Sequence, residues 1–263
     1  MHYQLSRLRT GSLITALILV SCAALQPVAA SADSASSKPA AGATSSDKTP
    51  ATAPVPPALV QVPEDPKLPR VLLIGDSITM GYTQPLREIL ANKANVLHPP
   101  ENCGPSRRIL EHLDLYLGKK PWDVIQLNCG IHDLTYLDKD SKVLGPKQGG
   151  KPQVPLDEYK TNLDQIVTRL KKTGARLIWC STTPLNHPDV YRIPTDVDRY
   201  NEIAREVMKK HGVPINDLNH TVQTFKKPMW TPEGVHFTPD GYRVLAEAAA
   251  PVIEAALPKA STK

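Results

Sequence analysis

Short apolar runs that alternate with helix-period segments constrain this chain more than any other feature. Val71-Leu72-Leu73-Ile74 is wholly apolar and stops at Gly75-Asp76, as expected of a strand buried on both faces. Trp122 to Leu127 and Arg176 to Ser181 repeat the pattern, with shorter runs at residues 95–97 and 213–215. Between them lie helical patterns. One runs over residues 85–92. Another, residues 106–117, sets Ile109, Leu110, Leu113 and Leu117 on one face. Residues 155–172 and 196–210 follow, stopped by Gly174 and Gly212, and an Ala-rich helix closes the chain at 240–257. Strands separated by such helices imply right-handed crossovers, and hence an α/β three-layer sandwich around a parallel sheet of about five strands. Residues 137–154 carry three glycines and several lysines without periodicity, which predicts an exposed loop.

The repeating part spans residues 70–258, and what precedes it is of another kind. Arg7 and Arg9 followed by the apolar run Leu13 to Val20 form an export signal over residues 1–30, too short to span a bilayer. Two exits compete. Val28-Ala29-Ala30 offers small residues for ordinary cleavage, whereas Leu19-Val20-Ser21-Cys22 is similar to a bacterial lipobox that would lipidate Cys22. Either exit predicts a periplasmic or extracellular protein, with a membrane contact only through that lipid. Eight of the chain's 26 prolines fall within residues 31–69, among Ala, Ser and Thr. Such a segment buries too little surface to offset its ordering entropy, so it predicts a disordered tether. Residues 259–263 form a short tail. Without the signal, 29 basic residues face 26 acidic ones. A net charge of +3 without a basic run, together with 5% aromatics, argues against a nucleic-acid partner.

In open parallel sheets, ligands bind beyond the carboxyl ends of the strands. Four polar, glycine-bearing segments fall at this end of the sheet. Gly75-Asp76-Ser77 follows the first and Asn102-Cys103-Gly104-Pro105-Ser106 the second. Asn128-Cys129-Gly130-Ile131-His132-Asp133 follows the third, and Glu233-Gly234-Val235-His236 lies beyond the last. Any one of these is weak alone, since Asp76 and Ser77 also suit a helix N-cap.

Together they resemble the SGNH/GDSL hydrolases, a family of esterases and acyl hydrolases with a flavodoxin-like fold. Ile74 to Gly81 is close to the family's nucleophile block. Glu233-Gly234-Val235-His236 matches its acid-x-x-His block, with Glu where Asp is usual. Gly104-Pro105-Ser106-Arg107-Arg108 is similar to the glycine block of carbohydrate-acetyl-ester hydrolases. The third block departs from the family pattern: Gly130-Ile131-His132-Asp133 places His where the family has Asn, a variant met in secreted bacterial members.

The resemblance implies a serine esterase that removes short acyl groups, acetyl above all, from a small molecule or polysaccharide. Serine is a weak nucleophile and needs a base oriented by a third group, roles that Ser77, His236 and Glu233 can fill. An oxyanion needs donors aimed at it. Those would be the backbone N–H groups of Ser77 and Gly104 and the side chain of His132, whose neutral ring carries one N–H. A structural His132, bonded to a loop carbonyl, is the competing reading. Asp76, Asp133 and Asn128 would orient the loops. Arg107 and Arg108 could meet an anionic substrate or stand as solvated charges. No cofactor is implied, and the remaining histidines share no metal-ligand spacing. Cys103 and Cys129 adjoin two converging blocks and could form a disulfide; three free thiols, counting Cys180, is the alternative. Two other functions stay open: a lysophospholipase or thioesterase of the same fold, and a tethered carbohydrate-binding domain whose esterase site has decayed.

Overall fold

The computed structural model describes residues 55–187 and 191–259. The export signal with Cys22, residues 31–54 of the expected tether and residues 260–263 of the tail lie outside the described residues. The repeating part alternates as expected: β1 (Arg70–Ile74), α1 (Ser77–Ile89), β2 (Asn95–Leu97), α2 (Ser106–Leu117) and β3 (Val124–Leu127). After β4 (Tyr136–Leu137) and β5 (Lys151–Pro152) come α3 (Leu156–Lys171), β6 (Arg176–Cys180), α4 (Pro194–His211), β7 (Ile215–Asn216), α5 (Leu218–Gln223) and α6 (Pro239–Ala256). Five strands form one sheet in the order β2-β1-β3-β6-β7, with every neighbouring pair parallel.

Strand alternation builds the two flanking layers. Leu72 and Ile74 of β1 join Ile125, Leu127 and Trp179 in a core shared with α2, α3 and α4. Val71 and Leu73 point the other way and join Ile178 and Cys180 in a core shared with α1, α5 and α6. Residues 71–74 are at most 1% exposed, which explains why β1 reads as an unbroken apolar run.

Three expectations need correction. Helix α1 begins at Ser77, eight residues before the sequence pattern places it. Proline favours the first helical turn, so a pattern that opens on Pro85 reads as a helix start. The cap is Asp76, whose Oδ1 accepts from the Ile78 N–H at 2.9 Å, and Pro85 sits inside the helix. Residues 137–154 are not a plain loop: β4 and β5 pair antiparallel, Tyr136 opposite Pro152, as strands too short to show alternation. The tether also ends earlier than residue 69. Ala58 is buried, Arg87 donates to the carbonyls of Pro57 and Ala58, and Asn95 Nδ2 donates to those of Asp65 and Leu68. Bonds to Pro57, Ala58, Asp65 and Leu68 thus hold this stretch to the domain.

Helices α1 and α6 touch closely where Gly81 meets Tyr242. A Cβ on Gly81 would lie 2.1 Å from Tyr242 Cε1. Gly→Ala within a helix ordinarily stabilises by about 1 kcal/mol, whereas overpacking costs roughly 1–3 kcal/mol. Gly81→Ala is therefore expected to lower the melting temperature. A melting temperature at or above wild type would contradict the α1–α6 contact.

Candidate active site

The chain leaves β1 through Gly75, where a Cβ would stand 2.1 Å from Thr79 Oγ1, and enters α1 at once. Asp76 takes the capping role, which leaves Ser77 as the first helical residue. Its N–H has no intrahelical carbonyl to meet and lies at the positive end of the helix dipole. Asp76 is buried at 1% exposure.

The second component is the turn before α6. Thr231 N–H and Oγ1 both donate to the His236 carbonyl, at 2.9 and 3.0 Å, and Gly234 adopts a left-handed φ of 73°. A segment after β6 backs this turn. Asn186 N–H donates to the Gly234 carbonyl at 2.9 Å, and His187 Nε2 lies 3.2 Å from the Pro232 carbonyl. A Cβ on Gly234 would meet His187 Nε2 at 2.6 Å, so only glycine suits both the backbone and the contact.

These two components bring the sequence-predicted triad together. Ser77 Oγ lies 2.8 Å from His236 Nε2, and His236 Nδ1 lies 2.8 Å from Glu233 Oε1. Glu233 sits below the usual carboxylate range, held there by the Thr231 hydroxyl, its own backbone N–H and His236. It is therefore ionised at neutral pH and accepts the proton on Nδ1. The side chains of His236 and Glu233 are 38% and 52% exposed, so the line opens to solvent.

The segments after β2 and β3 close the remaining sides. Cys103 N–H donates to the Gly75 carbonyl at 3.1 Å, tying the first of them to the nucleophile turn. Gly104 has a left-handed φ of 61°, but its N–H is not free: it donates to Asn102 Oδ1 at 2.9 Å. The expectation of Gly104 as an open oxyanion donor is corrected accordingly, because an Asx turn within its own segment occupies it. Burial lowers the His132 imidazole below its usual range; Asp76 opposes this, while Arg192 and His236 add to it. The shift favours the neutral ring. Arg192 Nε donates to the Ile131 carbonyl and to Thr135 Oγ1, at 3.2 and 3.0 Å. Asn128 Nδ2 donates to the Cys180 carbonyl at 2.9 Å, spanning β3 and β6. Asp133, fully buried, accepts from the Ser106 N–H at 2.9 Å.

Other expectations resolve differently. Cys103, Cys129 and Cys180 are free, buried thiols, so the disulfide expectation is corrected. Cys103 Sγ donates instead toward the Glu101 carbonyl at 3.9 Å, and burial pushes its thiol up to about 12. Arg107 pairs with Glu158, and Arg108 with Glu101. Sequence reasoning passed over Thr231, Asn102 and Glu101, since single polar residues beside a motif carry no spacing signal of their own.

A Ser–His–carboxylate line at the carboxyl edge of a parallel sheet defines a class of hydrolases that attack carbonyl carbon through serine. The comparisons show the family. The family model of GDSL-like lipases and acylhydrolases matches residues 73–244, and this chain belongs to that family and is a hydrolase. It is 26% identical over 205 residues to the GDSL esterase/lipase WDL1 of Oryza sativa subsp. japonica, covering 69% of this chain and 76% of that one. Among solved structures it is similar to the acetyl xylan esterase AlAXEase, with a TM-score of 0.56, 16% identity and coverage of 70% of this chain and 99% of that one. A carbohydrate acetylesterase family member from Sinorhizobium meliloti superposes with a TM-score of 0.55 at 16% identity, covering 72% and 99%. Identities this low show a shared fold.

Glu101, which opens the segment leading to Gly104, provides a test of that segment's anchoring. Burial alone would raise its carboxyl, but Tyr116, Arg108 and His112 all donate to it and bring it to about 2. A carboxyl depressed from the ordinary ~4.3 contributes stability that is present above that value and lost as pH falls toward about 2. Glu101→Gln is expected to be less stable than wild type in urea at pH 7, with the gap narrowing below about 4.3. A gap that does not change with pH would contradict the ionised, triply bonded Glu101.

Proposed function

We propose that this hydrolase is a serine esterase acting on short acyl esters, acetyl above all, carried by a carbohydrate. The hydrogen-bonded line from Glu233 through His236 to Ser77 carries the reading. His236 Nε2 takes the Ser77 proton as Oγ attacks the ester carbonyl, and Glu233 stabilises the imidazolium that forms. His236 then protonates the departing sugar oxygen. A water, deprotonated by His236, releases acetate from the acyl-enzyme. The Ser77 N–H and His132 are the donors for the oxyanion in this reading, since the Gly104 N–H is held by Asn102. A neutral His132 also suits the chemistry, since a second imidazolium would repel the one forming on His236.

Two observations favour a carbohydrate. The exposed His236 and Glu233 leave room for a bulky alcohol portion. None of the exposed large hydrophobic residues among those described lies on the triad-bearing turns, which weighs against a lipid surface. Two structurally similar proteins are also named for acetylated carbohydrate. From the sequence of residues 1–30 alone we also propose that the chain is exported, either cleaved near Ala30 or lipidated at Cys22.

Purified protein should hydrolyse aryl acetate and acetylated xylo-oligosaccharide faster than esters of long acyl chains. Ser77→Ala and His236→Ala should each abolish turnover with the melting temperature preserved, and the double variant should be little worse than either. Retained activity in Ser77→Ala would remove the nucleophile assignment, and a preference for long chains would favour the lysophospholipase or thioesterase reading.

His132→Ala should lower kcat by about 10²–10³ with little change in KM, because an oxyanion donor acts only as charge develops. His132→Asn should recover part of that loss. Normal kcat with a lowered melting temperature would make His132 a structural residue.

A further inference from the structure

Ser106 begins α2, two positions after Gly104, and its hydroxyl is enclosed. Oγ donates to Asp133 Oδ1 at 2.5 Å and accepts from Asn162 Nδ2 of α3 at 3.1 Å. The Ser106 N–H donates to the same Asp133 oxygen. Ser106 and Asp133 are 0% exposed and Asn162 is 6% exposed. Asp133 directly follows His132, and its own carbonyl accepts from the Val154 N–H at 2.9 Å. A buried polar chain thus runs from α3 through the start of α2 to the segment bearing His132. Asp133 depends on Ser106 for this: Oδ2 has no hydrogen-bond partner among the described residues. Burial raises the carboxyl to about 7, against the pull of the Ser106 hydroxyl and N–H. A buried chain of this kind is rigid only while each member is satisfied.

We propose that Ser106 and Asn162 are positioning residues for ester hydrolysis, holding through Asp133 the place of His132 relative to Ser77, whose turn the Cys103 N–H ties to the Asn102–Ser106 segment. The proposal rests on His132 serving the oxyanion. Donors on separate segments keep their aim only if those segments hold their spacing, and a shift of about 1 Å can cost about 10²-fold in rate. Neither residue touches the triad. Their effect therefore belongs in kcat, where the oxyanion interaction appears, and not in the binding of ground-state ester.

The test compares kcat and KM for an aryl acetate, with active sites titrated, in wild type, Ser106→Ala, Asn162→Ala, the double variant and Ser106→Thr. Ser106→Ala should lower kcat about 10–100-fold with KM within about twofold. Asn162→Ala should lose less. The double variant should be no slower than Ser106→Ala, because Asn162 acts through the serine hydroxyl. Ser106→Thr, which keeps that hydroxyl, should recover most of the rate. Normal kcat per titrated site in Ser106→Ala, or losses from the two residues that multiply, would overturn the proposal; should Ser106→Ala not fold, normal kcat in Asn162→Ala does the same. An active wild type with a normal Ser106→Ala overturns this inference alone, whereas an inactive wild type overturns it together with the esterase reading.

Discussion

The contact of Ser77 Oγ with His236 Nε2 joins residues 159 positions apart, and much of the fold serves to hold its two ends. Ser77 is where α1 begins, and His236 stands three residues before α6 begins. The distance between serine and histidine is therefore set by how closely these two helices pack. Gly81 permits that closeness by giving its side-chain space to Tyr242. Both helix starts are pinned by side-chain caps: Asp76 accepts from Ile78 N–H and Thr238 from Gly241 N–H. A serine at one capped helix start and a histidine in the bonded turn just before another keep their geometry better than a pair borne on free loops.

Electrostatics divide the site into complementary parts. Glu233 is exposed and ionised and can stabilise an imidazolium without a large desolvation cost. His132 is more enclosed and neutral, offering an N–H without adding positive charge beside His236. Asp133, deeper still, has a carboxyl raised by burial to about 7, which keeps its contribution structural and dependent on the donors around it.

The fold and the triad were legible in the sequence for one reason: both leave dense local signals. A strand buried on both faces must be nearly all apolar, so β1, β3 and β6 read clearly, and residues serving chemistry gather at the carboxyl ends of β1 and β3. What stayed hidden depends on partners distant in sequence. Nothing near Ser106 announces that its hydroxyl meets Asn162, 56 positions away. Nothing in Asn102 announces that its side chain occupies the N–H of Gly104. A proline inside a helix, as Pro85 is in α1, looks locally like a beginning. Residues 57–69 looked like tether because the groups that hold them, Arg87 and Asn95, lie elsewhere in the chain.

The central claim is that Ser77 is a nucleophile activated by His236, and covalent capture tests it most directly. An alkyl fluorophosphonate should phosphonylate one residue per molecule, with fluoride released and hydrolysis of acetyl ester lost in proportion. Peptide mass spectrometry should place the adduct on Ser77, and His236→Ala should slow its formation by orders of magnitude. A full adduct on another residue, or ester hydrolysis that persists after Ser77 is fully modified, would contradict the account.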